Sequence, residues 1–340
     1  MEKQLQDIAK TLIVHKAIDL LIGYEQGSVP LTSRPFFIKV KGAEAPETLV
    51  EKLVWNSFCS NNLAVFLPKY FEGNPLAKKR LPKPKIGLVV KGCDLRSVVA
   101  LIKEKQAFRD HLVLIGVPCQ GMIDTRKVEA AIRAQTPCWQ DTEIQDYQEQ
   151  DGLLSLTTRS GKTYTFNKAE VLQAACLDCR YPLPEGTDFL VEGTAKQPGD
   201  GGYQNIQEFE TKTPLERWEY FQQEMTKCIR CTACRQACPT CWCKECFADQ
   251  MDLKWIGVST NIADAMIFHL IRIFHQAGRC VECDACYRAC PMGVDLRTFT
   301  KKIGKDVEEL FGFFPNFNLE TIPPISTFKE TDSESFITEP

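Results

Sequence analysis

Two cysteine runs of one design stand out in the sequence. The first reads Cys228-Ile-Arg-Cys231-Thr-Ala-Cys234-Arg-Gln-Ala-Cys238-Pro239, the second Cys280-Val-Glu-Cys283-Asp-Ala-Cys286-Tyr-Arg-Ala-Cys290-Pro291. Both fit C-x2-C-x2-C-x3-C-P, a spacing in which three close cysteines hold one 4Fe–4S cluster and the fourth ligates its neighbour. The expected ligand sets are therefore Cys228, Cys231, Cys234 and Cys290 for one cluster, and Cys280, Cys283, Cys286 and Cys238 for the other. Soft thiolates suit iron–sulfur chemistry, and two-residue gaps let one loop wrap three corners of a cube. The proline after each fourth cysteine stops the helix and turns the chain away. A pair of structural zinc sites would need only two CxxC hooks each, which leaves the third close cysteine and the proline unexplained twice.

A second set of cysteines sits where apolar runs end. Ile86-Gly-Leu-Val-Val-Lys-Gly-Cys93 reads as a buried strand, with Asp94 as N-cap of a helix from Leu95 to Lys105. His111-Leu-Val-Leu-Ile-Gly-Val-Pro-Cys119 repeats the device. If these strands are parallel neighbours, Cys93 and Cys119 share the carboxyl edge of a sheet, where open α/β sheets build their sites. Cys176-Leu-Asp-Cys179 adds a CxxC pair, and Asp188-Phe-Leu-Val-Glu-Gly after it reads as a strand. Cys93, Cys119, Cys176 and Cys179 are the expected ligands of a third 4Fe–4S cluster. Buried free thiols and a redox dithiol are the alternatives that spacing alone leaves open.

The order KGCD, IGVPCQG and CLDCRYPLPEGTDFLVEG resembles the β-subunit family of the deazaflavin-reducing (coenzyme F420) hydrogenases and dehydrogenases. The resemblance covers residues 85 to 195 well and the first 80 loosely. It implies one 4Fe–4S cluster on Cys93, Cys119, Cys176 and Cys179, beside a flavin. The family's glycine-rich flavin turn has no counterpart before Lys85, where Gly23, Gly27, Gly42 and Gly73 stand alone. Without that backbone approach to a pyrophosphate, bound FAD is not the favoured expectation.

The first 185 residues alternate apolar runs with amphipathic stretches, the pattern of an α/β layer. Helices are predicted over Ile8 to Leu21 and Leu49 to Phe58, and strands at Phe36-Phe-Ile-Lys-Val-Lys and Asn62-Leu-Ala-Val-Phe-Leu-Pro. The glycine-rich stretch from Thr194 reads as a linker. Thr213-Pro-Leu-Glu216 is a capping box that starts the helix leading to Cys228. Thr260 to Gln276 reads as a helix with Ile262, Met266, Ile267, Leu270, Ile271 and Ile273 on a wide apolar face. A helix leading straight into Cys280 resembles the helical dicluster module of C-type subunits of heterodisulfide reductase and of fumarate reductase iron–sulfur subunits. His269 and His275 on that helix are expected as core or surface histidines. Cys241, Cys243 and Cys246 could supply a fourth cluster, completed by Cys59 or Cys138; small buried side chains are the preferred reading. Arg230, Arg235, Arg279 and Arg288 flank the cluster loops and could offset their negative charge. From Phe311 periodicity is lost, and exposed phenylalanines suggest a segment that wraps a partner, or a disordered tail.

The expected fold is an α/β N-terminal domain (1–195), a linker (196–212), a mainly α-helical ferredoxin-type dicluster domain (213–310) and an extended C-terminal tail (311–340). A net charge of −3 over 340 residues leaves no basic field for nucleic acid. No leader and no apolar run of bilayer length are read, and 17 cysteines then indicate metal ligands in a reducing, anaerobic cytoplasm rather than disulfides. The favoured function is an iron–sulfur electron-transfer subunit of a redox complex. Its partners would be a hydrogenase, a formate dehydrogenase or a heterodisulfide-reductase-like flavoprotein. A flavin-containing dehydrogenase oxidising reduced deazaflavin or NAD(P)H is the first alternative, a zinc-stabilised scaffold the second.

Overall fold

The structure is a computed structural model that describes all residues except 43, 73–81, 140–142, 253, 255, 325–329 and 331–340. Helix α1 (Glu2–Val14) buries Leu5, Ala9, Leu12 and Ile13 against the sheet and ends at His15. The predicted helix over Ile8 to Leu21 is thus corrected, because its second half gives way to strand β1 (Leu20–Gln26). Strand β2 (Ser33–Lys39) pairs antiparallel with β1. The predicted helix after Leu49 is a 3-10 turn over Pro46–Lys52. The predicted strand at Asn62 is another 3-10 turn, Leu63–Phe66, running into α2 (Leu67–Glu72). Asn62 caps that turn by accepting from the Ala64 amide, which a strand would not allow.

Strands β3 (Ile86–Val90) and β4 (Leu112–Gly116) are buried along their whole length, as expected of central parallel strands covered on both faces. The five-stranded sheet runs β2-β1-β3-β4-β8, with β8 (Phe189–Leu190) parallel to β4. Helix α3 (Gly92–Lys103) starts earlier than predicted: Lys91 is the N-cap, and Asp94 sits at N3 and completes the capping box. Helix α4 (Thr125–Gln135) follows β4.

A separate three-stranded antiparallel sheet, β5 (Ile144–Gln150), β6 (Leu153–Thr158) and β7 (Thr163–Asn167), packs its alternate buried residues onto α4. Its first hairpin turns on Asp151 (φ 52°) and Gly152 (φ 76°), the left-handed pair that a two-residue turn requires. Short helices α5 (Lys168–Val171) and α6 (Ala174–Leu177) then carry Cys176 to the edge of the first sheet.

Residues 196–212 carry α7 (Gln204–Glu210) and pack closely rather than hanging free. The Gly199 amide donates to the Cys179 carbonyl at 2.7 Å and the Gly201 amide to the Asp178 carbonyl at 3.2 Å. Helix α8 (Pro214–Thr226) opens on the Thr213–Glu216 capping box with Pro214 in its first turn. After it come α9 (Ala233–Gln236), α10 (Ile262–His275), α11 (Ala285–Ala289) and α12 (Leu296–Phe311) around a second core. The buried face of α10 is Ala265, Phe268, His269, Arg272 and Ile273. Ile262, Ile267 and Leu270 from the expected apolar face are exposed, as is Phe274. Beyond α12 the chain folds back on its own α/β half. Phe314 stacks on Tyr181, Phe317 meets that ring edge-on, and the Pro315 carbonyl accepts from Arg96. Among the described residues no helix is long and apolar enough to cross a membrane.

Candidate metal centres

β3 and β4 are parallel with Val90 opposite Gly116. Cys93 and Cys119 each follow three residues later, so both stand at the carboxyl edge of the sheet. The Cys119 amide donates to the Pro182 carbonyl at 3.0 Å, which draws the Cys176–Cys179 loop over the same edge. Cys93, Cys119, Cys176 and Cys179 line one cavity together with Lys91, Arg96, Arg288 and Cys283. Gly92 makes this closure feasible, since a Cβ there would lie 1.6 Å from the Tyr181 carbonyl oxygen. Backbone amides already aim at the sulfurs: Gly121 N–H donates to Cys119 Sγ at 3.4 Å and Met122 N–H to Cys176 Sγ at 3.3 Å.

The two later runs share one backbone conformation. Arg230 and Thr232 in the first, and Glu282 and Asp284 in the second, all have φ between 54° and 60°. Non-glycine residues adopt that region only under constraint, and here it recurs two and four residues after the leading cysteine of each run. Alternating left-handed residues curl the loop so that its thiols converge and its amides point inward. Arg230 N–H donates to Cys228 Sγ and Glu282 N–H to Cys280 Sγ, both at 3.4 Å. Cys228, Cys231, Cys234 and Cys290 line one cavity. Cys238 lies within electrostatic range of Cys280, Cys283 and Cys286. The fourth cysteine of each run is thus brought to the other run. Cys283, from the second run, also lines the sheet-edge cavity.

Burial pushes the thiol of Cys119 up to about 12 with help from Cys176, and that of Cys286 also to about 12. Cys93 and Cys280 are raised well above the usual thiol value, again chiefly by burial. Such thiols keep their protons unless a metal displaces them. All 17 cysteines are free thiols. Among the described residues no three His, Cys, Asp or Glu side chains converge as the ligands of a single ion do. Buried donors without acceptors surround these cavities: Arg272 Nε and Nη1, Arg230 Nε, Arg96 Nε and Arg180 Nε. An unmet buried donor is costly, and an anionic, sulfur-rich group supplies acceptors. The residues fit 4Fe–4S clusters on those grounds.

Several of the side chains here were not singled out by spacing. Lys91 Nζ is buried, donating to Asp94 Oδ2, Tyr24 OH and the Asn61 carbonyl at 2.7–2.8 Å. His269 is buried with Nε2 3.2 Å from Cys228 Sγ, and burial followed by Arg272 and Arg230 lowers it to about 3. Arg272 is buried, donates to the Cys234 carbonyl at 3.0 Å and lines the cleft wall with Cys238. Of the arginines expected beside the loops, Arg235 pairs with Asp249, Arg279 with Glu104, and Arg230 with the carbonyls of Asp264 and Gly257. Arg288 donates to the carbonyls of Cys283 and Ser60 and to Gln173 Oε1 at 2.6–2.8 Å, tying the two halves together.

A cleft of about 730 Å³ opens between the halves, walled by Phe58, Phe66, Trp242, Arg126, Arg235 and Arg288. Cys241, Cys243 and Cys246 lie on its wall beside Cys238, as does the exposed His275. Cys59 is fully buried in the α/β core, its sulfur 3.6 Å from Ser33 Oγ, and Cys138 is exposed. Neither is part of the cleft lining with that trio.

Residues 84–224 match the family model that describes the C-terminal part of the beta chain of coenzyme F420 hydrogenase/dehydrogenase. The match spans all four sheet-edge cysteines and stops before Cys228. Over that segment the chain is similar to the coenzyme F420 hydrogenase/dehydrogenase β-subunit family. A β subunit of F420-dependent formate dehydrogenase from Methanocaldococcus jannaschii is 30% identical over 112 residues, 33% of this chain and 28% of that protein. The β subunit of F420-dependent formate dehydrogenase 1 from Methanococcus maripaludis is 22% identical over 307 residues, 74% of this chain and 78% of that one. A chain of the F420-reducing [NiFe] hydrogenase complex from Methanosarcina barkeri aligns with a TM-score of 0.38 at 13% identity, covering 54% of this chain and 60% of that one.

Proposed function

We propose that this chain is an iron–sulfur electron-transfer subunit of a larger redox complex. Three 4Fe–4S clusters would be held in a row: by the sheet-edge quartet, then by Cys238, Cys280, Cys283 and Cys286, then by Cys228, Cys231, Cys234 and Cys290. The observation that carries this reading is Cys283, which belongs to the middle group and also lines the sheet-edge cavity. Clusters so held supply one-electron transfer. The protein's part is to keep the groups close, dry and electrostatically matched. Arg96 and Arg288 set positive charge around the sheet-edge thiols, while the Lys91 ammonium is paired with Asp94. At the outer end Cys231 is exposed, flanked by Ile229 (48% exposed) and Met292 (46%), an open edge for exchange with another protein.

The names of the relatives, both β subunits of formate dehydrogenases, support membership of a complex, as does the exposed apolar stripe Ile267, Leu270 and Phe274 on α10. The partner is proposed to be a hydrogenase, a formate dehydrogenase or a heterodisulfide-reductase-like flavoprotein, and the setting an anaerobic cytoplasm. Anaerobically purified chain is expected to carry about 12 iron atoms. Two zinc ions and little iron would refute the reading in favour of a scaffold.

The cleft favours a second reading. It adjoins both Cys238 and the sheet-edge wall, and combines aromatic faces with arginines, so a bound flavin would make the chain a dehydrogenase of reduced deazaflavin or NAD(P)H. Acid release of the purified protein decides between them: about one FAD per chain selects the dehydrogenase, and none selects the relay.

A further inference from the structure

We propose that Arg272 poises both clusters of the helical half together, its buried guanidinium lying within reach of cysteine ligands of each. The proposal rests on the reading of this half as a dicluster unit. Arg272 projects from the middle of α10 and is 3% exposed. Its Nη2 donates to the Cys234 carbonyl at 3.0 Å, while Nε and Nη1 are buried with no acceptor. It lines the cleft wall together with Cys238 of the middle group and Cys241, and its charge also reaches Cys286 of the middle group and Cys234 of the outer group.

The other arginines nearby are differently engaged. Arg230 uses both terminal nitrogens on the carbonyls of Asp264 and Gly257 and lies 4.3 Å over the Phe268 ring. Arg279 is neutralised by Glu104, and Arg297 by Asp284 and Asp178. Among the described residues Arg272 has no carboxylate partner. A buried cation without a counter-ion is unstable, and the groups facing this one are cysteine sulfurs, which become anionic only when they ligate a metal. Each thiolate-ligated cluster gains one negative charge on reduction. A fixed positive charge within reach of two of them therefore favours the reduced form of both, and N–H donation to sulfur acts in the same direction.

The test is a redox titration of the full chain, purified anaerobically and followed by EPR, with iron content measured alongside. Arg272→Gln is expected to keep its iron and to lower the reduced-to-oxidised ratio of the middle and outer clusters about tenfold at fixed potential, ~59 mV for a one-electron couple. The sheet-edge cluster should not move, and Arg272→Lys, which keeps the charge, should restore most of the shift. Arg230→Gln should shift the outer cluster alone. Full iron with unchanged potentials in Arg272→Gln would overturn the proposal, as would a shift at only one cluster. Loss of iron in both Arg272→Gln and Arg272→Lys would also overturn it, because the side chain would then be a brace. Zinc in place of iron in the unmutated chain would instead remove the dicluster reading itself.

Discussion

At position 92 there is room for a hydrogen and nothing more, because the Tyr181 carbonyl closes over it. Gly92→Ala is expected to cost more than about 2 kcal/mol in chemical denaturation and to open the sheet-edge cavity. Cys119→Ser should remove about four of some twelve iron atoms and leave the EPR signals of the helical half intact; unchanged iron would refute the quartet. The cysteines themselves were legible because ligand spacing is local in sequence. Lys91, Arg96 and Arg272 were not, since whether a charged side chain is buried is decided by what packs on it from elsewhere. Arg272 did leave a trace, as a lone cation inside the apolar stretch Phe268-His-Leu-Ile-Arg-Ile-Phe274.

Among the elements, α8 has the clearest start. Glu216 accepts from the Thr213 amide and hydroxyl, and these bonds hold its carboxyl below the usual range. A depressed folded value means that the stabilisation is complete above the unfolded value near 4.5 and fades as pH falls through the folded one. Thr213→Ala should thus lower stability at neutral pH. The gap from the parent should narrow in thermal melts below about pH 4. This cap was readable from four residues. The hairpin at Asp151-Gly152 carried an equally local signal, alternation around an Asp-Gly pair, and went unread beside the stronger cysteine pattern. The apolar run Leu63 to Leu67 misled for a different reason. A short run without period suits a strand or a buried turn equally, and Asn62 decides by capping it. On α10, hydrophobicity named the inward face only in part: Ile273 is buried and Met266 packs on the core, but His269 and Arg272 also face in while Ile267 and Leu270 face out.

Across the whole molecule the two halves are joined by charged contacts rather than by one continuous apolar core. Glu104 on the α/β side receives both Arg279, at 2.5 and 2.7 Å, and the Trp242 indole. Glu104→Ala is expected to weaken that junction by about 2 kcal/mol. Calorimetry should then resolve two unfolding transitions where the parent gives one; a single transition at the original temperature would mean that Arg288 and the C-terminal segment suffice. None of these cross-contacts was visible in the sequence, because each joins residues more than a hundred positions apart. The return of the C-terminal segment onto Tyr181 is of the same kind: aromatic residues without periodicity announce a surface to be covered, not whose surface.

That return has a consequence for how the molecule is made. Phe314 roofs the sheet-edge cavity, yet it belongs to a segment synthesised long after the four cysteines below it. A nascent chain therefore gathers Cys93, Cys119, Cys176 and Cys179 while the roof is still inside the ribosome. If that quartet holds a cluster, iron and sulfide would have their freest approach in that interval, and a finished chain that lost them would have to lift its own aromatic cover before reloading.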